Sequence, residues 1–124
     1  MEPLIKEMQQ NTPSVVLDQK NNIFKIAGKS LIEDVGIFYK PIKEWIDQYA
    51  KSPNPKTKFV MKFTYLDTSS EKEIFDILLK LDEMCQDGRD VLVSWQYSQY
   101  DDSIYEKGKE YEAILDVPFE VVSD

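Results

Sequence analysis

The stretch "KFVMKFTYLDTSSEKEIFDILLKLDEM", Lys58 to Met84, contains two periodicities and the corner between them. Up to Tyr65 it alternates: Phe59, Met61, Phe63 and Tyr65 point one way, while Val60, Lys62 and Thr64 point the other, as in a strand. Beyond Ser70, residues Ile74, Ile77, Leu78, Leu81, Met84 and Cys85 share one stripe of a helix, which "QDGRD" stops with Gly88. "VLVSWQY" repeats the strand pattern, with Val91, Val93, Trp95 and Tyr97 set against Leu92, Ser94 and Gln96. Strands with one apolar and one mixed face take helices mainly on the apolar side, which argues against a doubly wound sheet buried on both sides.

Working outward, "NTPSVVLDQKNNIFKIAGKS" holds two short apolar runs, Val15–Leu17 and Ile23–Ala27, around the turn-forming "DQKNN". They read as antiparallel strands, with "PLIKE" as a further extended segment at the edge. "VGIFYKPIKEWIDQYAK" spaces Phe38, Ile42, Trp45, Ile46 and Tyr49 three and four apart on a helix face. Pro41 there belongs in a first turn or imposes a kink. The charged residues Lys43, Glu44 and Asp47 of this helix are solvated surface. "SPNPKTK" is a loop. A third helix is expected across "DSIYEKGKEYEAIL", where Gly108 lies on the face of Ile104, Tyr111 and Leu115 and marks a close backbone approach. "VPFEVV" closes the chain as a short edge strand. The expected fold is α/β (α+β): one domain over residues 1–124, a single mixed sheet of about five to six strands, and about three helices mainly on one face.

Composition narrows the function. The chain has 124 residues, 23 acids against 15 bases, a formal charge of −8, one cysteine and no histidine. The negative charge disfavours nucleic acid and anionic membrane surfaces. No apolar run approaches the roughly 18 residues of a membrane span. "MEPLIKEMQQ" lacks a signal sequence's basic head and apolar core, so a cytoplasmic location is expected. An internal disulfide and a Cys/His metal site are excluded, and catalysis would have to run without imidazole. Cys85 reads as a small core residue. Asp101-Asp102 reads as a helix start rather than a cation site, and Gly28 in "IAGKS" as a turn, because the spacing of a phosphate loop is missing. No catalytic residue, metal ligand or cofactor is assigned.

The corner Asp67-Thr68-Ser69-Ser70 admits two readings. Thr68 with Glu71, or Ser70 with Glu73, has capping-box spacing, and one such pair suffices to start a helix. If Ser70 caps, Thr68 stands exposed at the lip of the sheet, where another protein can modify it. Trp95 and Tyr97 continue the apolar alternation and read as core. Tyr100 and Tyr105 fall outside it and are interface candidates.

"TPSVVLD" (Thr12–Asp18), "AGKS" followed by Glu33, "FYKPIKEWIDQY", "TYLDTSS", and a late "WQY" before "GKEYEAILDVPFEVV" come in an order that resembles the SiaC family of bacterial regulatory phosphoproteins. The likeness runs from about Pro3 to Val122. It departs at Ser30-Leu31-Ile32-Glu33, where the family usually has Ser-Tyr-Pro-Glu, at Asp67, where asparagine is frequent, and at Lys107 and Lys109, where acids are common. The resemblance implies a fold like that of STAS-domain anti-sigma-factor antagonists. It also implies a non-catalytic switch phosphorylated on Thr68 by a kinase and reset by a metal-dependent phosphatase. The unphosphorylated form is expected to activate a diguanylate cyclase and so control cyclic di-GMP and biofilm formation. Partners would read Asp67, Ser69, Ser70, Tyr100 and Tyr105. The alternative is a constitutive STAS-like interaction module, or an anti-sigma-factor antagonist with another partner.

Overall fold

A computed structural model describes residues 1–124. The elements in chain order are β1 (Leu4–Lys6), β2 (Ser14–Asp18), β3 (Ile23–Ser30), α1 (Val35–Tyr49), β4 (Lys56–Leu66), α2 (Thr68–Gln86), β5 (Asp90–Tyr97), α3 (Asp102–Ile114) and β6 (Phe119–Ser123). They form one six-stranded sheet in the order β1-β2-β3-β4-β5-β6. β1, β2 and β3 pair antiparallel, and β3 through β6 pair parallel.

This order decides where the helices go. Each parallel crossover steps to the next strand in the same direction, and right-handed crossovers of that kind deposit their helices on one face. A single core of 24 buried residues results. It joins Phe24, Ile26, Phe59, Met61, Val93 and Trp95 from the strands to Ile42, Ile46, Ile74, Leu78 and Ile104 from the helices. The other face of the sheet has no helix. There Ser94 Oγ donates to Glu120 at 2.7 Å, and Lys58 and Lys62 pair with Glu120 and Asp124 at 3.6 and 3.2 Å.

Four local expectations change. "AGKS" is not a turn: β3 runs on through Gly28 to Ser30. Gly28 has φ +121, and a Cβ there would meet the Met8 methyl at 2.8 Å. Next to it the β3–β4 register shifts, with Gly28 opposite Phe63 but Lys29 opposite Tyr65. Thr64 is the extra residue of a bulge, and a bulge reverses the facing of the residues after it. Tyr65 therefore turns away from the core, 48% exposed, and Leu66 turns in. Pro41 lies well inside α1 rather than in its first turn. On α1, Tyr39 is the fully buried aromatic, and Phe38 packs half-buried against its edge at 5.0 Å. Gly108 meets its expectation, because a Cβ there would overlap the Trp95 indole.

Candidate functional site

Because β3, β4 and β5 are parallel, their C-terminal ends and the N-termini of α1, α2 and α3 lie at one end of the sheet. Ligand and partner sites of open α/β sheets gather at this end. Thr68 sits in its middle, as the first residue of α2.

The cap is neither hydroxyl expected from the spacing. Asp67 occupies the N-cap with an extended backbone, and its carboxylate accepts the Ser70 N–H at 2.8 Å. An aspartate directly after the strand satisfies the helix's third N–H, which leaves Thr68 and Ser69 on the exposed side of the first turn. Ser70 points inward and is 0% exposed, so it is not a partner contact. Its hydroxyl bonds to the Ser30 carbonyl at 3.1 Å and to Ser30 Oγ at 2.7 Å. Ser30 Oγ in turn lies 2.8 Å from the Tyr39 hydroxyl. Burial pushes the Tyr39 hydroxyl up to about 12, against the effect of its hydrogen bond with Ser30 and with the charges of Asp67 and Glu73. Tyr39 is therefore a neutral hydrogen-bonding group at neutral pH.

At the same end of the sheet the surface carries apolar side chains. Tyr100 is 87% exposed in the β5–α3 connection, and Tyr105 lies exposed on α3 with its ring 5.1 Å from Tyr97. Leu31 follows β3, Ile37 stands 75% exposed in the first turn of α1, and Tyr65 ends β4. Leu31, Ile37 and Tyr65 do not stand out in the sequence. For Ile37 the available signal is an apolar residue outside its helix's buried stripe, and for Leu31 an apolar residue just past the end of a strand. For Tyr65 the alternation points the wrong way, because it does not include the bulge.

The charges there are mixed. Asp67 and Glu71 flank Thr68 in the chain, and Lys72 stands one helical turn further on. Lys107 of α3 reaches Glu71 at 3.6 Å and Glu110 at 3.2 Å. Its burial opposes the ammonium charge, but those carboxylates more than offset this, so its pKa is raised. Asp101 caps α3 as Asp67 caps α2, accepting the Ile104 N–H at 3.1 Å.

The cavity bounded by Thr64, Tyr65, Glu71, Asp101, Ser103 and Lys107 holds only about 90 Å³. A metabolite site is typically ~300 Å³ or more. No group of three or more His, Cys, Asp or Glu side chains is placed to hold a metal ion. No helix is long and apolar enough to cross a membrane. The site offers no cavity of metabolite size, and its exposed side chains suit contact with macromolecules.

Fold and surface thus define a small α/β protein whose second helix begins with an exposed threonine at the C-terminal end of a parallel sheet. The chain belongs to the SiaC family of regulatory phosphoproteins, whose model matches residues 6–124. An uncharacterized protein of Pseudomonas aeruginosa (strain UCBPP-PA14) is 26% identical over 112 residues, 90% of this chain and 89% of that one. Two solved structures, each at TM-score 0.91 and 25% identity, align with 98% of this chain and 99% of theirs. One is apo-SiaC from Pseudomonas aeruginosa, and the other is the diguanylate cyclase SiaD in complex with its activator SiaC from the same organism.

Proposed function

We propose that this protein is a non-catalytic cytoplasmic switch whose unphosphorylated form binds and activates a diguanylate cyclase, and that phosphate on Thr68 ends that binding. The observation that carries the reading is the placing of Thr68. Thr68 is exposed on the first turn of α2, at the same end of the sheet as Leu31, Ile37, Tyr65 and Tyr100, while the neighbouring Ser70 is sealed. The similarity to a SiaC solved together with its cyclase supports the choice of target.

The switch works through desolvation. A phosphate adds a charge of about −1.5 to −2. The N-terminus of α2 favours that charge by typically 0.3–1 kcal/mol, and Lys72 stands one turn away on the same helix. Asp67 and Glu71 oppose it. These local terms nearly cancel, so the fold persists. An interface closing over the apolar rim, however, would have to bury an unpaired dianion, at a cost of several kcal/mol. A kinase and a metal-dependent phosphatase set the phosphorylation level, and ATP and metal belong to those enzymes.

The test is incubation with ATP and protein kinases from the same organism, followed by peptide mass spectrometry. Phosphate is expected on Thr68 and is expected to be lost in Thr68→Ala. The phosphorylated protein should no longer stimulate a diguanylate cyclase that the unphosphorylated form activates. Phosphate on another residue, or undiminished stimulation by the phosphorylated form, overturns the reading.

A further inference from the structure

The buried hydroxyls beneath Thr68 form a chain with a fixed direction. Each hydroxyl has one hydrogen to give. Ser70 Oγ donates to the Ser30 carbonyl and Ser30 Oγ donates to Ser70 Oγ, so the Tyr39 hydroxyl must donate to Ser30 Oγ. The Asp67 N–H takes the remaining place on the Ser30 carbonyl, at 3.2 Å. Ser30, Tyr39 and Ser70 are all 0% exposed, and every hydrogen in the chain is used. Alanine and phenylalanine would fill the same space without polar atoms that need partners. What the hydroxyls add is direction: three segments are tied at one point, the end of β3, the second turn of α1, and the first turn of α2.

We infer that this chain is a positioning device for the phosphoacceptor, an inference that rests on the Thr68 reading. Asp67 holds the first turn of α2 through its backbone, and Ser70 holds the same turn from inside. Thr68 is thereby set at a fixed height relative to Leu31 and Ile37, which sit beside Ser30 and Tyr39 on the other two tied segments. An enzyme that docks on the rim finds the hydroxyl where transfer requires it. In that step the Thr68 oxygen bonds to the γ-phosphorus of ATP as the bond to ADP breaks, and the hydroxyl proton passes to a base of the kinase. A displacement of about 1 Å costs such a step up to ~100-fold. Ser70 is thus a positioning residue and not an alternative acceptor.

The protein with Ser70→Ala or Tyr39→Phe, ATP and the kinase that phosphorylates the wild type gives the test. Ser70→Ala leaves the Asp67 cap in place. It should lower kcat for Thr68 phosphorylation about tenfold with KM changed less than about twofold, and it should speed exchange of the Asp67 amide proton. Tyr39→Phe keeps its ring in the core and should lower kcat about threefold, so it carries the test if Ser70→Ala does not fold. Ile77→Val, a core change on the same helix, should alter stability but not kcat. Wild-type kcat in both hydroxyl variants, or an equal loss in Ile77→Val, overturns the inference. Thr68→Ala separates the two ideas. If that variant still takes up phosphate, the acceptor assignment fails. If it takes up none while the hydroxyl variants react at the wild-type rate, only the positioning role fails.

Discussion

Asp67 starts α2 alone, where two hydroxyl–glutamate pairs had the right spacing to do so. Three neighbouring residues competed for one cap, and spacing cannot rank candidates one or two positions apart. The decision lies in where β4 ends, because the residue that leaves the strand with extended backbone is the one whose side chain can reach back to the third helical N–H. This geometry sets two energies. Asp67→Ala should lower unfolding free energy by about 1 kcal/mol, the usual loss for an N-cap carboxylate. Thr68→Ala, at an exposed position with no cap bond, should stay within about 0.5 kcal/mol of wild type. Urea titration of both variants checks the pair. Reversal of the order would mean that Thr68 is the cap and that its hydroxyl is engaged in the folded state. An engaged hydroxyl would count against the proposed role of Thr68 as acceptor.

Most elements are legible because period and burial agree along them. The α2 stripe of Ile74, Ile77, Leu78 and Leu81 is buried as the spacing requires, and Val91, Val93 and Trp95 of β5 behave likewise. At Tyr65 the alternation misleads, for a reason local sequence does not carry. A bulge is a relation between two strands, and nothing within "KFTYL" marks Thr64 as the extra residue. The same hidden shift brings Leu66 into the core and sets the corner at Asp67, so the site's shape is less legible than the sheet. Gly108, by contrast, announces itself, because a glycine on the apolar side of a helix asks what lies against it. The answer is Trp95, whose indole N–H also donates to the Ile104 carbonyl at 2.9 Å. Gly108→Ala would gain about 1 kcal/mol in helix propensity but would force a methyl into a ring held on both sides. Overpacking of this kind costs about 1–3 kcal/mol. A net loss of about 1–2 kcal/mol in urea titration is expected, with a shift in tryptophan emission as α3 is pushed off β5. An unchanged or higher midpoint would mean that α3 rides loosely on the sheet.

Across the entire chain the six strands lie in sequence order, and this places the N-termini of all three helices beside one another, with Thr68 among them. The buried hydroxyl chain lies where α1, α2 and β3 meet, so its integrity can be read in global stability as well as in the proposed phosphorylation of Thr68. Alkaline unfolding provides that reading. Tyr39 titrates near 10 when unfolded and is pushed up to about 12 by burial in the folded protein. Between those values the unfolded chain releases a proton that the folded chain keeps, so fewer protons are bound unfolded than folded. Stability then falls as pH rises, by up to about 1.4 kcal/mol per pH unit for each such group. Tyr111 is raised by burial and by the charges of Glu71 and Glu110, and it acts with the same sign. Lys43 is raised chiefly by its hydrogen bond to Glu73 and also loses its contribution in the alkaline range. Tyr39→Phe removes one member of this set and keeps its ring, so its urea midpoint should fall less steeply than that of wild type between about pH 9.5 and 11.5. Parallel profiles would mean that the Tyr39 hydroxyl ionises as easily folded as unfolded. A hydroxyl that does so is reached by water, and the chain from Tyr39 to Ser70 could not then hold the Thr68 turn in place.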